Sequence, residues 1–321
     1  MRNSILYGDC RETLKQFASY TDKARMCVTS PPYYGLRDYG GEDNQIGQEQ
    51  SPEDFIKNLV EVFGLVRDCL TDDGTLWVNI GDSYYNYRPG KGQAYPKQSV
   101  SKTKQDLPDK CNKRGNKLEG LKEKDLIGIP WMLAFALRAD GWYLRQDIIW
   151  HKPNPMPESV RDRCTKSHEY IFLLSKSKKY YYDNEAIKEP VKQDWGTRNR
   201  VNGKYHNSGS GLQPHSGLTK SYTTKNKRSV WSVTNKPYKH AHFATFPPDL
   251  IVPPILAGSK KGDIVLDPFM GSGTTGMVAK EHGRYFIGCE LHADYSELIR
   301  QRMPVEIASQ DIENPLTDML Y

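Results

Sequence analysis

Val265-Leu266-Asp267-Pro268-Phe269-Met270-Gly271-Ser272-Gly273-Thr274-Thr275-Gly276 reads as a strand, a glycine loop and the start of a helix. A short apolar run ends on a carboxylate, and closely spaced glycines then let the backbone turn tightly and approach whatever rests on it. Gly271, Gly273 and Gly276 satisfy the G-x-G-x-x-G spacing usually read as a dinucleotide cradle. Asp267 speaks against a pyrophosphate, because the loop would then set one anion against another. It favours a ligand carrying positive charge. No Gly-Lys-(Ser/Thr) closes the loop, so it is not a Walker cradle. Glu290 follows the next apolar run, Tyr285-Phe286-Ile287-Gly288-Cys289. A carboxylate at that point, about 20 residues on within a βαβ unit, can accept from ribose hydroxyls. The two acids together suit a nucleoside with a cationic tail, and S-adenosylmethionine is such a ligand.

The same alternation extends along the chain. Short apolar runs predict strands at Ser4–Tyr7, Met26–Thr29, Thr75–Ile80, Gln146–Trp150, Tyr170–Leu174, Ile264–Leu266 and Tyr285–Gly288. Phe55, Leu59, Val62, Val66 and Leu70 form a helical stripe that starts after Ser51-Pro52-Glu53-Asp54 and stops before Asp73-Gly74. Further helices are expected over Leu126–Leu137 and Thr274–Glu281. Strands alternating with helices imply an α/β fold with a mainly parallel sheet, whose ligands bind beyond the carboxyl ends of the strands. Residues 86–124 have few apolar side chains and are expected as a mobile basic loop. Residues 176–240 are expected as an irregular insertion with little core of its own.

Met26-Cys27-Val28-Thr29 leads into Ser30-Pro31-Pro32-Tyr33-Tyr34-Gly35. The two prolines stiffen this exit and remove two backbone N–H donors, leaving carbonyls beside Ser30 and Tyr33. Such an acceptor-rich turn suits an exocyclic amino group, which donates two hydrogens. Accepting them orients the nitrogen lone pair and stabilises charge that develops on the nitrogen. Tyr33 offers a stacking face worth about 1–3 kcal/mol to a base. A base must leave its duplex to reach such a pocket. A bare Pro-Pro turn after a buried strand is the blander reading, and the glycine loop elsewhere in the chain weighs against it.

Composition narrows the class. The 321 residues carry a net charge of +6 and a mean hydropathy of −0.72. No apolar run approaches the ~18 residues of a membrane span, and the N-terminus has no apolar signal region, so a cytoplasmic location is expected. Lys and Arg dominate residues 88–124 and 176–239, the latter with Tyr180, Tyr181, Tyr182, Trp195, Tyr205, Tyr222, Trp231 and Tyr238 interleaved. Basic and aromatic groups together suit a polynucleotide. The six cysteines form no C-x-x-C pair, so neither a metal site nor a disulfide framework is expected.

At Ser30-Pro31-Pro32-Tyr33 and Asp267–Thr275 the chain resembles the amino-group DNA methyltransferases of bacteria and phages, whose hallmarks are an (Asp/Asn/Ser)-Pro-Pro-(Tyr/Phe/Trp) turn and a D-P-F-x-G-S-G-T-T loop. The turn precedes the loop, as in the circularly permuted β-type arrangement. The resemblance implies a Rossmann-like S-adenosylmethionine-dependent methyltransferase fold. It implies a catalytic half over residues 1–175, a target-recognition region over 176–240 and a cofactor-binding half over 241–321. Ser30, Pro31, Pro32 and Tyr33 would be catalytic. Asp9, Thr29, Phe246, Pro247, Asp267, Pro268, Phe269, Gly271, Ser272, Gly273, Thr274 and Glu290 would hold S-adenosylmethionine, with Asp9 at the adenine amino group and Phe246 and Pro247 walling the methionine pocket. Double-stranded DNA is the implied partner. A homodimer and a cognate restriction endonuclease are left open.

Ser before Pro-Pro-Tyr resembles the branch that methylates cytosine at N4, and adenine N6 is the alternative. Cysteine-based transfer to cytosine C5 is set aside, because no cysteine follows a proline. Two other classes compete. A nicotinamide-dependent oxidoreductase would follow from the glycine spacing alone, and a non-catalytic DNA-binding protein from the basic regions alone. His168, beside Glu169, is read as structure or a base-edge contact. Asp82 either faces the pocket or caps a loop.

Overall fold

The computed structural model describes residues 2–35, 45–85, 118, 120–191, 223–235, 246–293 and 295–303. Most of the expected basic loop, residues 192–222 and 236–245, and Cys111 lie outside them.

Five strands lie side by side and parallel: β1 (Ser4–Tyr7), β10 (Tyr285–Glu290), β9 (Ile264–Asp267), β2 (Ala24–Thr29) and β3 (Leu70–Ile80). The sheet continues through β5 (His168–Ser175), antiparallel to its neighbours, then β4 (Tyr143–His151) and β8 (Val230–Ser232). Only β5 runs against the other seven. A separate pair joins β6 (Glu189–Pro190) to β7 (Thr224–Lys225). The mainly parallel α/β sheet expected from the alternation is thus observed, with one strand reversed.

Helices cover both faces. On one lie α1 (Cys10–Ala18), α2 (Pro52–Cys69) and α3 (Ile129–Ala139). In α2, Ser51 Oγ accepts from the Asp54 N–H at 3.1 Å and Pro52 opens the first turn. The stripe Phe55, Leu59, Val62 and Val66 is fully buried, worth roughly 1.5–3 kcal/mol per side chain; its last expected member, Leu70, opens β3 instead, since α2 ends at Cys69. On the other face lie α4 (Pro248–Gly258), α5 (Thr274–Glu281) and α6 (Tyr295–Arg302), packed over Met26, Trp77, Trp150 and Phe286.

Four departures have local causes. Leu126 forms a bridge with Tyr84 and is exposed, and α3 starts only at Ile129, after Gly128 in the left-handed region. The helix α4 carries Pro253 and Pro254 inside it. They forfeit backbone bonds, but Leu250, Ile251, Ile255 and Ala257 are buried against the sheet, and tertiary burial overrides propensity. The helix α1, short and mostly polar, also escapes the sequence pattern. The described part of 176–240 is less detached than expected: β8 extends the main sheet and Trp231 is buried in its core.

No helix among the described residues is long and apolar enough to cross a membrane, and none of their His, Cys, Asp and Glu side chains form a group that could hold a metal.

Candidate active site

Chain order reverses between β9 and β2, which are neighbours in the sheet. Crevices at such switch points, beyond the carboxyl ends of the strands, are where open α/β sheets bind ligands. Asp267 ends β9 and Thr29 ends β2, so the glycine loop and the Ser30–Tyr33 turn leave the sheet together. Gly8-Asp9, Glu290 and Gly81-Asp82 follow or end β1, β10 and β3 on the same edge. Fold alone brings together residues more than 200 positions apart.

Asp267 binds the two loops to each other. Its Oδ1 accepts from Thr29 Oγ1 at 2.6 Å and from the Phe269 N–H at 3.0 Å, and its Oδ2 from Thr275 Oγ1 at 2.5 Å. The side chain is buried. Burial pushes its carboxyl up from the ordinary range, and the three donors oppose that shift. The sequence pattern cast Asp267 as a charge drawing in a cation. Its oxygens instead face inward to protein donors, so it shapes the cradle from behind.

The loop itself has a second brace. Glu290 Oε2 accepts from the Gly271 N–H at 2.8 Å and Oε1 from the His292 N–H at 3.1 Å. Burial raises the Glu290 carboxyl, against those two backbone donors. Arg302 Nη1 donates to Ser272 Oγ at 2.6 Å and Thr274 Oγ1 at 2.9 Å. Met303 packs so close to Gly273 that a Cβ there would lie 2.9 Å from its Cε. Sequence reasoning missed this contribution from α6, which carries no motif.

Asp9 caps α1 through the Arg11 N–H at 2.9 Å and pairs with the Arg11 guanidinium at 2.5 Å. Burial raises its carboxyl, but the Arg11 bonds and charge outweigh burial and leave it below the ordinary range. The Gly8 N–H donates to the Glu290 carbonyl at 2.8 Å, which sets Asp9 beside the end of β10. Phe246 packs against the second core cluster and Pro247 precedes α4.

The turn after β2 reaches across to the antiparallel part of the sheet. Tyr33 Oη donates to Glu169 Oε2 at 2.7 Å. Asn79 Nδ2 donates to the same oxygen at 3.2 Å and to the Tyr170 carbonyl at 3.1 Å. Lys152 pairs with the other oxygen, Oε1. Gly81 lies under the Tyr33 ring, where a Cβ would sit 2.8 Å from Cε2. Asn79, Gly81 and Lys152 carry no site signal in the sequence, and Glu169 stands out there only as the neighbour of His168. The nearest signal was a carboxylate at the mouth of the apolar strand Tyr170–Leu174.

Asp82 resolves in favour of capping: its Oδ1 accepts from the N–H groups of Ser83, Gly128 and Ile129 at 2.9, 3.0 and 3.0 Å. His168 stacks edge-on against Tyr170, with ring centroids 5.5 Å apart, as a packing residue. Cys27 is buried and its thiol is pushed well above the ordinary range by burial, so it is no nucleophile.

The cradle fits a nucleoside with a cationic tail. Gly8 and Gly271 both have positive φ, and a Cβ on either would meet nothing nearer than 3.9 Å among the described residues. Backbone is therefore bare at the two points where a ligand would approach, and acids flank both.

Comparison with known proteins agrees. A family model described as an N6/N4 DNA methylase matches residues 24–301. The Type II methyltransferase M.Cfr9I of Citrobacter freundii is 47% identical over 303 residues, which cover 94% of this chain and 88% of the relative. The Type II methyltransferase M.SmaI of Serratia marcescens is 47% identical over 304 residues, covering 93% and 90%. The solved PvuII DNA methyltransferase, described as cytosine-N4-specific, aligns with a TM-score of 0.60 at 17% identity, covering 94% of this chain and 86% of that one. A solved protein of Thermus thermophilus, described as a DNA modification methylase and complexed with S-adenosyl-L-methionine, aligns with a TM-score of 0.55 at 23% identity, covering 94% of each. At those identities the solved structures speak for the fold alone. Since the family match runs from β2 into α6 and the relatives span nearly the whole chain, this protein belongs to the N6/N4 DNA methylase family, as an S-adenosylmethionine-dependent DNA methyltransferase.

Proposed function

We propose that the chain methylates the N4 amino group of a cytosine flipped out of duplex DNA, within a circularly permuted catalytic domain. The cofactor, when bound, supplies an electrophilic methyl group on its sulfonium. Asp9 and Glu290 hold its adenosine. Pro268, Phe269, Gly271, Ser272, Gly273 and Thr274 form the loop beneath it, with Thr29 and Asp267 fixing that loop, and Phe246 and Pro247 flank its methionine end.

Ser30 and the carbonyls around Pro31 and Pro32 accept the two amino hydrogens and turn the nitrogen lone pair toward the cofactor loop. Tyr33 stacks on the base. No nucleophilic side chain is required, since transfer depends on alignment. Residues 176–240 read the target sequence, between a catalytic half over 1–175 and a cofactor half over 241–321. As a bacterial or phage-encoded enzyme of the bacterial cytoplasm, it would work beside an endonuclease of the same specificity, alone or as a homodimer.

The observation that carries this reading is the Thr29–Asp267 hydrogen bond, 2.6 Å long, which anchors the amino-accepting turn to the cofactor loop. Ser30 favours cytosine over adenine, because a hydroxyl stands where adenine-specific relatives more often have a carboxylate. Unmodified DNA incubated with the enzyme and S-adenosylmethionine, digested to nucleosides and analysed by mass spectrometry, is expected to yield N4-methyl-2′-deoxycytidine. N6-methyl-2′-deoxyadenosine as the product would overturn the choice of base.

A further inference from the structure

Glu169 stands out among the groups that the reaction as proposed leaves unused. Its side chain is 12% exposed and that of its partner Lys152 17%. Shielding an ion pair this far from water is weak evidence of a stabilising role, because desolvation offsets much of the attraction. Both carboxylate oxygens are oriented, Oε1 by Lys152 and Oε2 by Asn79, and Lys152 lies over the Trp150 ring at 4.2 Å. Residues on β3 and β5 and just beyond the end of β4 thereby fix one acceptor. That acceptor takes the hydroxyl of Tyr33, which arrives on a loop from a fourth strand.

We propose that Glu169 is a positioning residue for methyl transfer: held by Lys152 and Asn79, it fixes the Tyr33 ring against Gly81 at the angle the target base requires. This rests on the reading of Tyr33 as the stacking face. Glu169 touches neither base nor cofactor in this scheme and acts through the tyrosine hydroxyl. A ring free to swing about its Cα–Cβ bond moves the base relative to the methyl donor, and misplacement by ~1 Å costs up to about 100-fold in rate.

The test is a double-mutant cycle on the full-length enzyme. Glu169→Ala and Tyr33→Phe each break the same hydrogen bond. Each is expected to lower kcat by roughly 10–100-fold while leaving the affinity for S-adenosylmethionine within about twofold of wild type. The double variant should be no slower than the slower single one. Glu169→Gln keeps an acceptor oxygen and should recover most of the rate. A Glu169→Ala enzyme with wild-type kcat, or losses that multiply in the double variant, would overturn the proposal. So would equal losses in Glu169→Ala and Glu169→Gln that follow their melting temperatures. Failure of the underlying function reading would appear elsewhere, in a wild-type enzyme whose DNA product carries no N-methylated base.

Discussion

Replacing Asp267 separates two ways in which a buried carboxylate can serve a cofactor. Asp267→Ala removes the acceptors of Thr29 Oγ1, Thr275 Oγ1 and the Phe269 N–H. An orphaned buried donor costs about 1–3 kcal/mol. The two hydroxyls can rotate toward other acceptors, whereas the amide cannot, and removing a buried charge returns part of the loss. A net destabilisation of about 2–4 kcal/mol is expected, or roughly 3–6 °C in Tm for a chain this size. Cofactor affinity should fall with it, because both loops lose their common anchor. Asp267→Asn keeps one oxygen for Thr29 and Phe269 and presents its amide to Thr275, whose hydroxyl can accept. That variant should lose ~1 kcal/mol or less and keep most of its cofactor affinity. Urea denaturation gives the first quantity and titration calorimetry with S-adenosylmethionine the second. If Asp267→Asn bound cofactor as poorly as Asp267→Ala while staying stable, the charge itself would be the attractant and the geometric account would fail.

Other expectations are as direct. Glu290 binds its proton more tightly in the folded state than in the unfolded one, since burial raises its carboxyl. Lowering the pH from above its raised pKa toward the ordinary glutamate range should therefore stabilise the ligand-free fold. If Glu290 accepts from the ribose as proposed, the same change should weaken S-adenosylmethionine binding; Glu290→Gln should abolish both pH dependences, and calorimetry and melts across that range would detect either. Gly81→Ala places a methyl 2.8 Å from Tyr33 Cε2, so single-turnover transfer should slow by about tenfold or more with cofactor affinity intact. A maleimide added to the native enzyme should label the exposed Cys164 well before Cys10, Cys27, Cys69 or Cys289, as peptide mapping would reveal. Burial raises the thiols of Cys10 and Cys69 to about 12 and also pushes those of Cys27 and Cys289 well above the ordinary range.

The central strands were legible in the sequence because they are short apolar runs buried on both faces, whereas β4 is exposed over most of its first half and only its apolar end was legible. Ser4–Tyr7 and Thr274–Glu281 were read to the residue, and Met26–Thr29 lacked only its first two residues. The two loops were legible because proline and glycine leave local signatures. What escaped was written in tertiary contacts. The helix α4 survives its prolines through burial, β8 is three residues long amid basic sequence, and α6 meets the glycine loop only after the sheet has assembled. Glu169 lies on the only reversed strand of the sheet, so its meeting with Tyr33, 136 positions away, depends on topology that no spacing reveals. Asp267 shows the converse. Its identity was informative and its direction was not, because an end-of-strand carboxylate points outward or inward according to its neighbours.

In the proposed reaction the Ser30–Tyr33 turn receives the base while a separate loop holds the cofactor. Methyl transfer from labelled S-adenosylmethionine to DNA, measured for Tyr33→Ala beside calorimetric cofactor affinity on the same preparation, tests it most directly. Transfer is expected to fall by at least about 100-fold with cofactor affinity close to that of wild type. Transfer at the wild-type rate, or a matching collapse of cofactor affinity in a folded protein, would contradict it.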